Sequence, residues 1–248
     1  MSDGPPGWDA PLYGRVLDLA GVGAGTSVLD LGCGAGSFSA AAVARGARVV
    51  GIDGDPSAVA AAAAAVPGAA FHRGDAHDPP PGPFDVVAAV QLLQHVANPL
   101  AVLRAAARVG ALVAVTTWGP EETCDVRAFG EALAPWLPPR RPQSGPPPLT
   151  DPARLRKVVG LAGLAVVAEE DVDCPFTYAD EDALVQPLLV SGLGRAAAAR
   201  AGPGAVRRAV LARLEGHRTP TGGYVLRNRF RVLVGRPGGG LPASSMRV

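Results

Sequence analysis

Cysteine is scarce in this sequence, three residues in 248, and Cys33, Cys124 and Cys174 lie far apart with no CxxC pair. They read as reduced thiols, which argues against a disulfide framework or a zinc site. No His/Asp/Glu cluster stands at metal-ligand spacing, so no metal is expected. No apolar run approaches the roughly eighteen residues a membrane span needs. The opening MSDGPPGWDA has neither the basic nor the apolar segment of a signal peptide. A cytoplasmic protein without a membrane partner is expected. Aromatics make up only 5% of the chain, and no basic stripe with interleaved aromatics suggests an RNA surface. Lysine is nearly absent too: Lys157 stands alone while Ala, Gly, Pro and Arg abound. That bias reads as codon usage in a GC-rich genome, so Ala and Gly richness is discounted as a functional signal.

What is present is a chain long enough for one α/β domain with additions, 48% of it apolar. Net charge is +1, but it is unevenly spread: from Arg195 onward there are eleven arginines and one acid, Glu215. Such asymmetry can mark an anionic partner. The alternative, favoured because the arginines are dispersed, is that they pair with acids from earlier in the chain; no nucleic-acid partner is favoured.

A strand–helix alternation starts after a short helix within 8–20. Strands are expected at Thr26–Leu31, Ala47–Ile52, Ala69–His72, Phe84–Val90 and Ala111–Thr117. Helices are expected at Ser37–Arg45, at Pro56–Val66 with Pro in its first turn, and at Pro99–Val109 capped by Asn98. Apolar strands alternating with helices imply a parallel sheet covered on both faces. The rhythm breaks at 118–150, which contains PWLPPRRPQSGPPP. Beyond it come a helix at Asp151–Leu161, a strand at Leu164–Val172, two or three helices within 179–216 and a last strand at Gly223–Val234. The organisation expected is thus an N-terminal lid segment at 1–25, a cofactor-binding core at 26–117, a proline-rich insertion at 118–150, and a C-terminal part of the sheet at 151–248 with a helical cap at 179–216.

The chemistry concentrates in Val28-Leu-Asp30-Leu-Gly32-Cys33-Gly34-Ala-Gly36-Ser37. A strand ends in an acid, turns on glycines and enters a helix, whose start offers unpaired N–H groups. A dinucleotide GxGxxG starting at Gly32 would need glycine at 37, where Ser37 stands; the chain reads DxGxGxG instead. An acid at the strand end suits a ligand with cationic ammonium and sulfonium groups better than a pyrophosphate, which disfavours NAD. A second acid, in Ile52-Asp53-Gly54, ends the next strand, where a carboxylate can take both ribose hydroxyls of a nucleoside. A third, in Gly74-Asp75-Ala76, comes after the third strand, where it could accept from an adenine amino group while the Ala76 N–H serves a ring nitrogen. Single acids at strand ends are commonly turn formers; three in order on successive strands are poorly explained that way.

With these motifs the chain resembles the class I S-adenosylmethionine-dependent methyltransferases, in their small-molecule branch. VLDLGCGAGSFS resembles the family's first motif, GID its second, GDAHD its third, and FDVVAAVQLLQHVANP its fourth strand together with the turn beyond that strand. The resemblance implies a doubly wound, mostly parallel seven-stranded sheet with a late antiparallel strand, and S-adenosyl-L-methionine as cofactor. It assigns Asp30, Gly32, Cys33 (through its backbone), Gly34, Gly36 and Gln91 to the methionine end, Asp53 and Gly54 to the ribose, and Asp75 and Ala76 to the adenine. Tyr13 lies where relatives fold a lid over the cofactor. Sugar O-methyltransferases of this branch often carry two adjacent histidines after the fourth strand; here Gln94 replaces the first and His95 remains.

An imidazole titrates near neutrality, so His95 is the candidate general base for a hydroxyl acceptor, its alternative being a packing residue beside the cofactor. Trp118, leaving the fifth expected sheet strand at its carboxyl edge, and Tyr178 are the candidate acceptor-binding aromatics. The expected activity is methyl transfer to a small-molecule acceptor, on oxygen or carbon, in secondary metabolism, by a monomer or homodimer. A cyclase or isomerase using the same fold and an RNA methyltransferase are the rival readings.

Overall fold

The computed structural model describes residues 4–139 and 148–238. Residues 140–147 of the proline-rich insertion, and the ends of the lid and C-terminal segments, lie outside the described residues. In chain order the elements are α1 (Ala10–Leu19), β1 (Ser27–Leu31), α2 (Ser37–Ala44), β2 (Arg48–Asp53), α3 (Pro56–Ala65), β3 (Ala70–Arg73), β4 (Phe84–Ala89), α4 (Pro99–Val109) and β5 (Gly110–Trp118). They continue with α5 (Arg127–Leu133), α6 (Pro152–Leu161), β6 (Leu164–Asp173), β7 (Phe176–Tyr178), α7 (Glu181–Val190), α8 (Gly192–Ala201), α9 (Pro203–Leu214), β8 (Tyr224–Leu226) and β9 (Arg229–Pro237). They form two compact units. One gathers Ala10–Trp118, Pro148–Val172 and Phe230–Val248; the other gathers Met1–Asp9, Gly119–Pro147 and Asp173–Arg229.

The first unit holds a seven-stranded sheet in the order β3-β2-β1-β4-β5-β9-β6. β1 to β5 pair in parallel, and β9 lies antiparallel to β5. The apolar runs of the sequence explain this. Val28 sits opposite Val49 and Val86, and Leu29 opposite Val50 and Val87, so central strands bury both faces. Leu31, Val87, Val113 and Val115 pack with Leu103 of α4 and Leu155 of α6 into one core. Helix starts obey the expected chemistry. Asn98 accepts from the Ala101 N–H at 3.0 Å, and Asp151 from the Arg154 N–H at 2.7 Å; each cap contributes about 1 kcal/mol. The chain runs from β1 to β2 and β3 on one side, then crosses to β4 and β5 on the other. Between β1 and β4 lies the switch point at whose carboxyl edge such sheets bind ligands.

The second unit contains α5, α7, α8 and α9 with the antiparallel pair β7–β8. Phe129, Leu133, Leu184, Val206, Val210 and Leu214 are buried, and Trp8 meets Phe176 edge-on with centroids 5.1 Å apart. Within the described residues of the proline-rich insertion, Arg127–Leu133 forms the short helix α5, ahead of the proline cluster that starts at Pro135. One expectation fails: Gly223–Val234 is two strands in two sheets. The break is at Arg227-Asn228. The Arg227 N–H donates to Asp125 Oδ2 at 2.7 Å. Buried Asn228 accepts from the Val126 N–H at 3.2 Å and donates to the Leu226 carbonyl at 3.2 Å. Side-chain satisfaction of the backbone here replaces ladder bonds.

The late arginines do find earlier acids. Within the second unit Arg207 pairs with Glu181 and Asp182, and Arg213 with Glu131; within the sheet unit Arg231 lies 2.7 Å from Asp171 and 3.4 Å from Glu169. Most are exposed and contribute under about 1 kcal/mol each, but they account for much of the charge asymmetry.

Candidate active site

The turn after β1 is built from glycines of positive φ: 70° at Gly32, 52° at Gly34 and 87° at Gly36. A Cβ on Gly32 would come within 2.6 Å of Leu92 Cδ1, and one on Gly36 within 3.1 Å of Ala62. Gly34 would meet nothing within 4 Å, so its backbone borders open space. The turn is tied to β2 twice over. The Gly32 and Cys33 N–H groups donate to the Ile52 carbonyl at 2.8 and 3.0 Å, and the Gly34 N–H donates to Asp53 Oδ2 at 3.0 Å. Asp53 Oδ1 accepts from the Asp55 N–H at 2.9 Å. The carboxylate is thereby fixed by two backbone donors, with lone pairs left for a ligand.

A cavity of about 580 Å³ opens at this edge, within the usual size of small-molecule sites. It brings together six of the residues singled out in the sequence: Gly32, Asp53, Gly54, Asp75, Ala76 and His95. Ile52, Arg73, Gly74, Leu92 and Val96 complete the lining. Sequence reasoning misses Arg73, yet β2–β3 pairing sets it directly opposite Asp53. The signal is in the parallel register, one residue beyond the expected strand end. His95 closes a single 3-10 turn, Leu93–His95, its N–H donating to the Leu92 carbonyl at 2.8 Å.

The other singled-out residues lie outside that lining. Asp30 is 1% exposed, and its Oδ2 accepts from Ser39 Oγ at 2.7 Å. Burial pushes its carboxyl up to about 6, the Ser39 hydroxyl opposes this, and the Asp53 charge adds to it. Cys33 is buried, its thiol pushed up to about 12 by burial and then by the charges of Asp30 and Asp53; such a thiol is inert. Gly36 caps α2. Tyr13 of α1 stands edge-on to Phe38 of α2, centroids 5.6 Å apart. Trp118 packs against Phe230 at 4.3 Å. Tyr178, on β7 of the second unit, has its hydroxyl pushed up to about 12 by burial.

Gln91 has a positioning role at the exit of β4. It is non-glycine at φ 53°, a conformation that costs energy for an L residue. Its backbone N–H and its Nε2 both donate to Thr116 Oγ1 at 2.9 Å, while Gln94 Nε2 donates to its Oε1 at 3.1 Å. Thr116 on β5 thus holds the turn that leads into His95.

The Asp30 carboxyl has a stability consequence. The native state keeps this proton between the ordinary carboxyl value of 3.8 and about 6, where the unfolded chain loses it. Stability is therefore lost as pH rises through that window, and the full cost is present above it. Asp30→Asn should gain stability relative to the native chain, on the order of 2 kcal/mol more at pH 7 than at pH 4. Urea midpoints of both proteins at the two pH values measure that difference.

The residues suit a nucleoside ligand with a cationic tail: a glycine turn bordering open space, a fixed carboxylate at the β2 end, and a second at Asp75. Residues 29–111 match the family model described as a methyltransferase domain. Over that stretch, from β1 to the start of β5, the chain is similar to methyltransferase domains. Among curated relatives, the chain is 39% identical over 106 residues to a ubiquinone biosynthesis O-methyltransferase of Pseudomonas aeruginosa. That match takes in 40% of this chain and 46% of the relative, so the chain spans less than half the length of such relatives. The [4+2]-cyclase SpnF has the same fold, with TM-score 0.58 and 20% identity over 92% of this chain and 81% of that one. A SAM-dependent methyltransferase from Aquifex aeolicus shares it at TM-score 0.51 and 20% identity, over 68% and 88% of the two chains. Among the described residues of this chain, no three His, Cys, Asp or Glu side chains could hold a metal ion together, and no helix is long and apolar enough to cross a membrane.

Proposed function

We propose that this protein methylates a small-molecule acceptor, on oxygen or carbon, with His95 as the general base. The observation that carries this reading is that His95 lines the same cavity as Asp53 and Asp75. When bound, S-adenosylmethionine supplies a methyl group already activated on a sulfonium, so the chain's task is alignment and proton removal. Asp53 binds the ribose hydroxyls and Asp75 with Ala76 holds the base; Gly32 and Gly34 let the backbone approach the tail closely. His95, held on its short turn by Leu92 and through Gln91 by Thr116, takes the acceptor's proton on its imidazole. The O-methyltransferase names among relatives support a hydroxyl acceptor. Small-molecule chemistry of secondary metabolism in the cytoplasm, by a monomer or homodimer, belongs to the same reading.

Incubation with methyl-labelled S-adenosylmethionine and a panel of phenols, sugars and carbon acids tests it. Label appearing in an acceptor, with micromolar S-adenosylhomocysteine binding and no NAD binding by calorimetry, is expected. Conversion of an acceptor without label transfer would favour the cyclase reading instead. Trp118→Ala should raise the acceptor KM several-fold while leaving S-adenosylhomocysteine affinity within twofold. Equal losses for both ligands would place this aromatic in support of the core.

A further inference from the structure

The Asp75 side chain is 70% exposed, and a carboxylate that open would ordinarily rotate among several orientations. Here it does not stand alone. Two residues on, the His77 backbone N–H donates to Asp75 Oδ1 at 2.9 Å, and His77 Nδ1 lies 2.7 Å from the same oxygen. The Asp78 N–H closes the turn onto the Asp75 carbonyl at 2.9 Å. An ionised carboxylate only accepts, so the ring proton sits on Nδ1 and points at Oδ1. Oδ2 takes no hydrogen bond among the described residues. Asp75 lines the cavity, while His77 is outside its lining.

We propose that His77 is a positioning residue for nucleobase recognition: by occupying Oδ1 with two donors, it turns Oδ2 of Asp75 toward the exocyclic amine of an adenine and sets the preference for adenine over a 6-oxo purine. This rests on the cofactor reading above. One donor would fix one oxygen but leave the carboxylate plane free to turn; the second, from an imidazole on the same residue, locks that plane. Charge-assisted bonds of this kind are stronger than neutral ones. His77 also holds the Asp75 carboxyl below its ordinary value, first through the backbone N–H and then through the ring. An ionised carboxylate accepts from an amine and repels a carbonyl oxygen.

The experiment compares S-adenosylhomocysteine with S-inosylhomocysteine, its 6-oxo analogue, by calorimetry on the full chain. The native protein should prefer the adenine form by tenfold or more, and Asp75→Asn should erase that preference, because an amide can donate to the oxo group. His77→Ala should weaken the adenine ligand three- to tenfold and shrink the preference to about threefold or less. His77→Asn, which can still donate to Oδ1, should restore both. An unchanged preference in His77→Ala overturns the proposal. So does an equal weakening of both ligands that His77→Asn does not rescue, since that marks loop support alone. If the native protein binds neither ligand, the cofactor reading fails and the proposal falls with it; if it binds both equally, only the adenine preference fails.

Discussion

His95→Asn lowers kcat by roughly a hundredfold or more on a hydroxyl acceptor while S-adenosylhomocysteine binds as before, within about twofold. A positioned general base is worth on the order of a hundred- to ten-thousandfold, and asparagine keeps the polarity of the site without accepting the proton. The side chain sits at the end of a single 3-10 turn, so the substitution disturbs no long helix and no sheet strand. The polar partners assigned to the cofactor, Asp53 and Asp75, are untouched. An acceptor that ionises readily, such as an electron-poor phenol, should narrow the gap between the two proteins. Joint loss of binding and turnover would make His95 a cofactor-pocket residue; no loss would leave alignment alone to explain the rate.

Asp53→Ala weakens S-adenosylhomocysteine binding by about 1.5–3 kcal/mol, the value of charge-assisted hydrogen bonds to two hydroxyls. In dissociation constants that is about ten- to 150-fold. Part of the loss arises within the protein, because the Gly34 and Asp55 N–H groups lose their acceptor. Asp53→Asn separates the contributions. Its amide oxygen can keep the Gly34 bond while the charge is gone, so its loss should be smaller than that of alanine. Urea midpoints of the three proteins check that weakened binding is not weakened folding.

Much of this site is legible in the sequence because its parts are local. The glycine spacing after β1, the acids that end β2 and come after β3, and the capping residue Asn98 each act within a few residues of their own position. The long apolar strands are legible for the same reason, since burial on both faces leaves a continuous run. What is not legible depends on partners distant in the chain. Asn228 splits the last strand because its amide reaches Val126, 102 residues away. Gln91 reads as a cofactor residue by position, yet its side chain is engaged by Thr116, which pattern alone cannot foresee. Arg73 enters the cavity lining through strand register. The gathering of 119–147 with 173–229 into one unit likewise rests on packing between helices such as α5 and α9, which no periodicity announces.

The position of β9 has a consequence for how the sheet is made. Among the described residues it is the last strand in chain order, but it is not an edge strand: it lies between β5 and β6. Until Arg229–Pro237 has left the ribosome, β5 keeps an open flank of unpaired N–H and C=O groups, and β6 has no strand in the sheet to join. The five parallel strands can pair as they emerge, whereas closure of the sheet waits for a contact between residues more than a hundred positions apart, such as Thr116 and Val232. Nascent or truncated chains ending before Arg229 would therefore carry the nucleoside-binding edge complete in sequence beside an apolar strand flank exposed to other chains. Completion of the sheet therefore depends on the arrival of one late strand, whereas the residues of the cofactor site are all in place long before it.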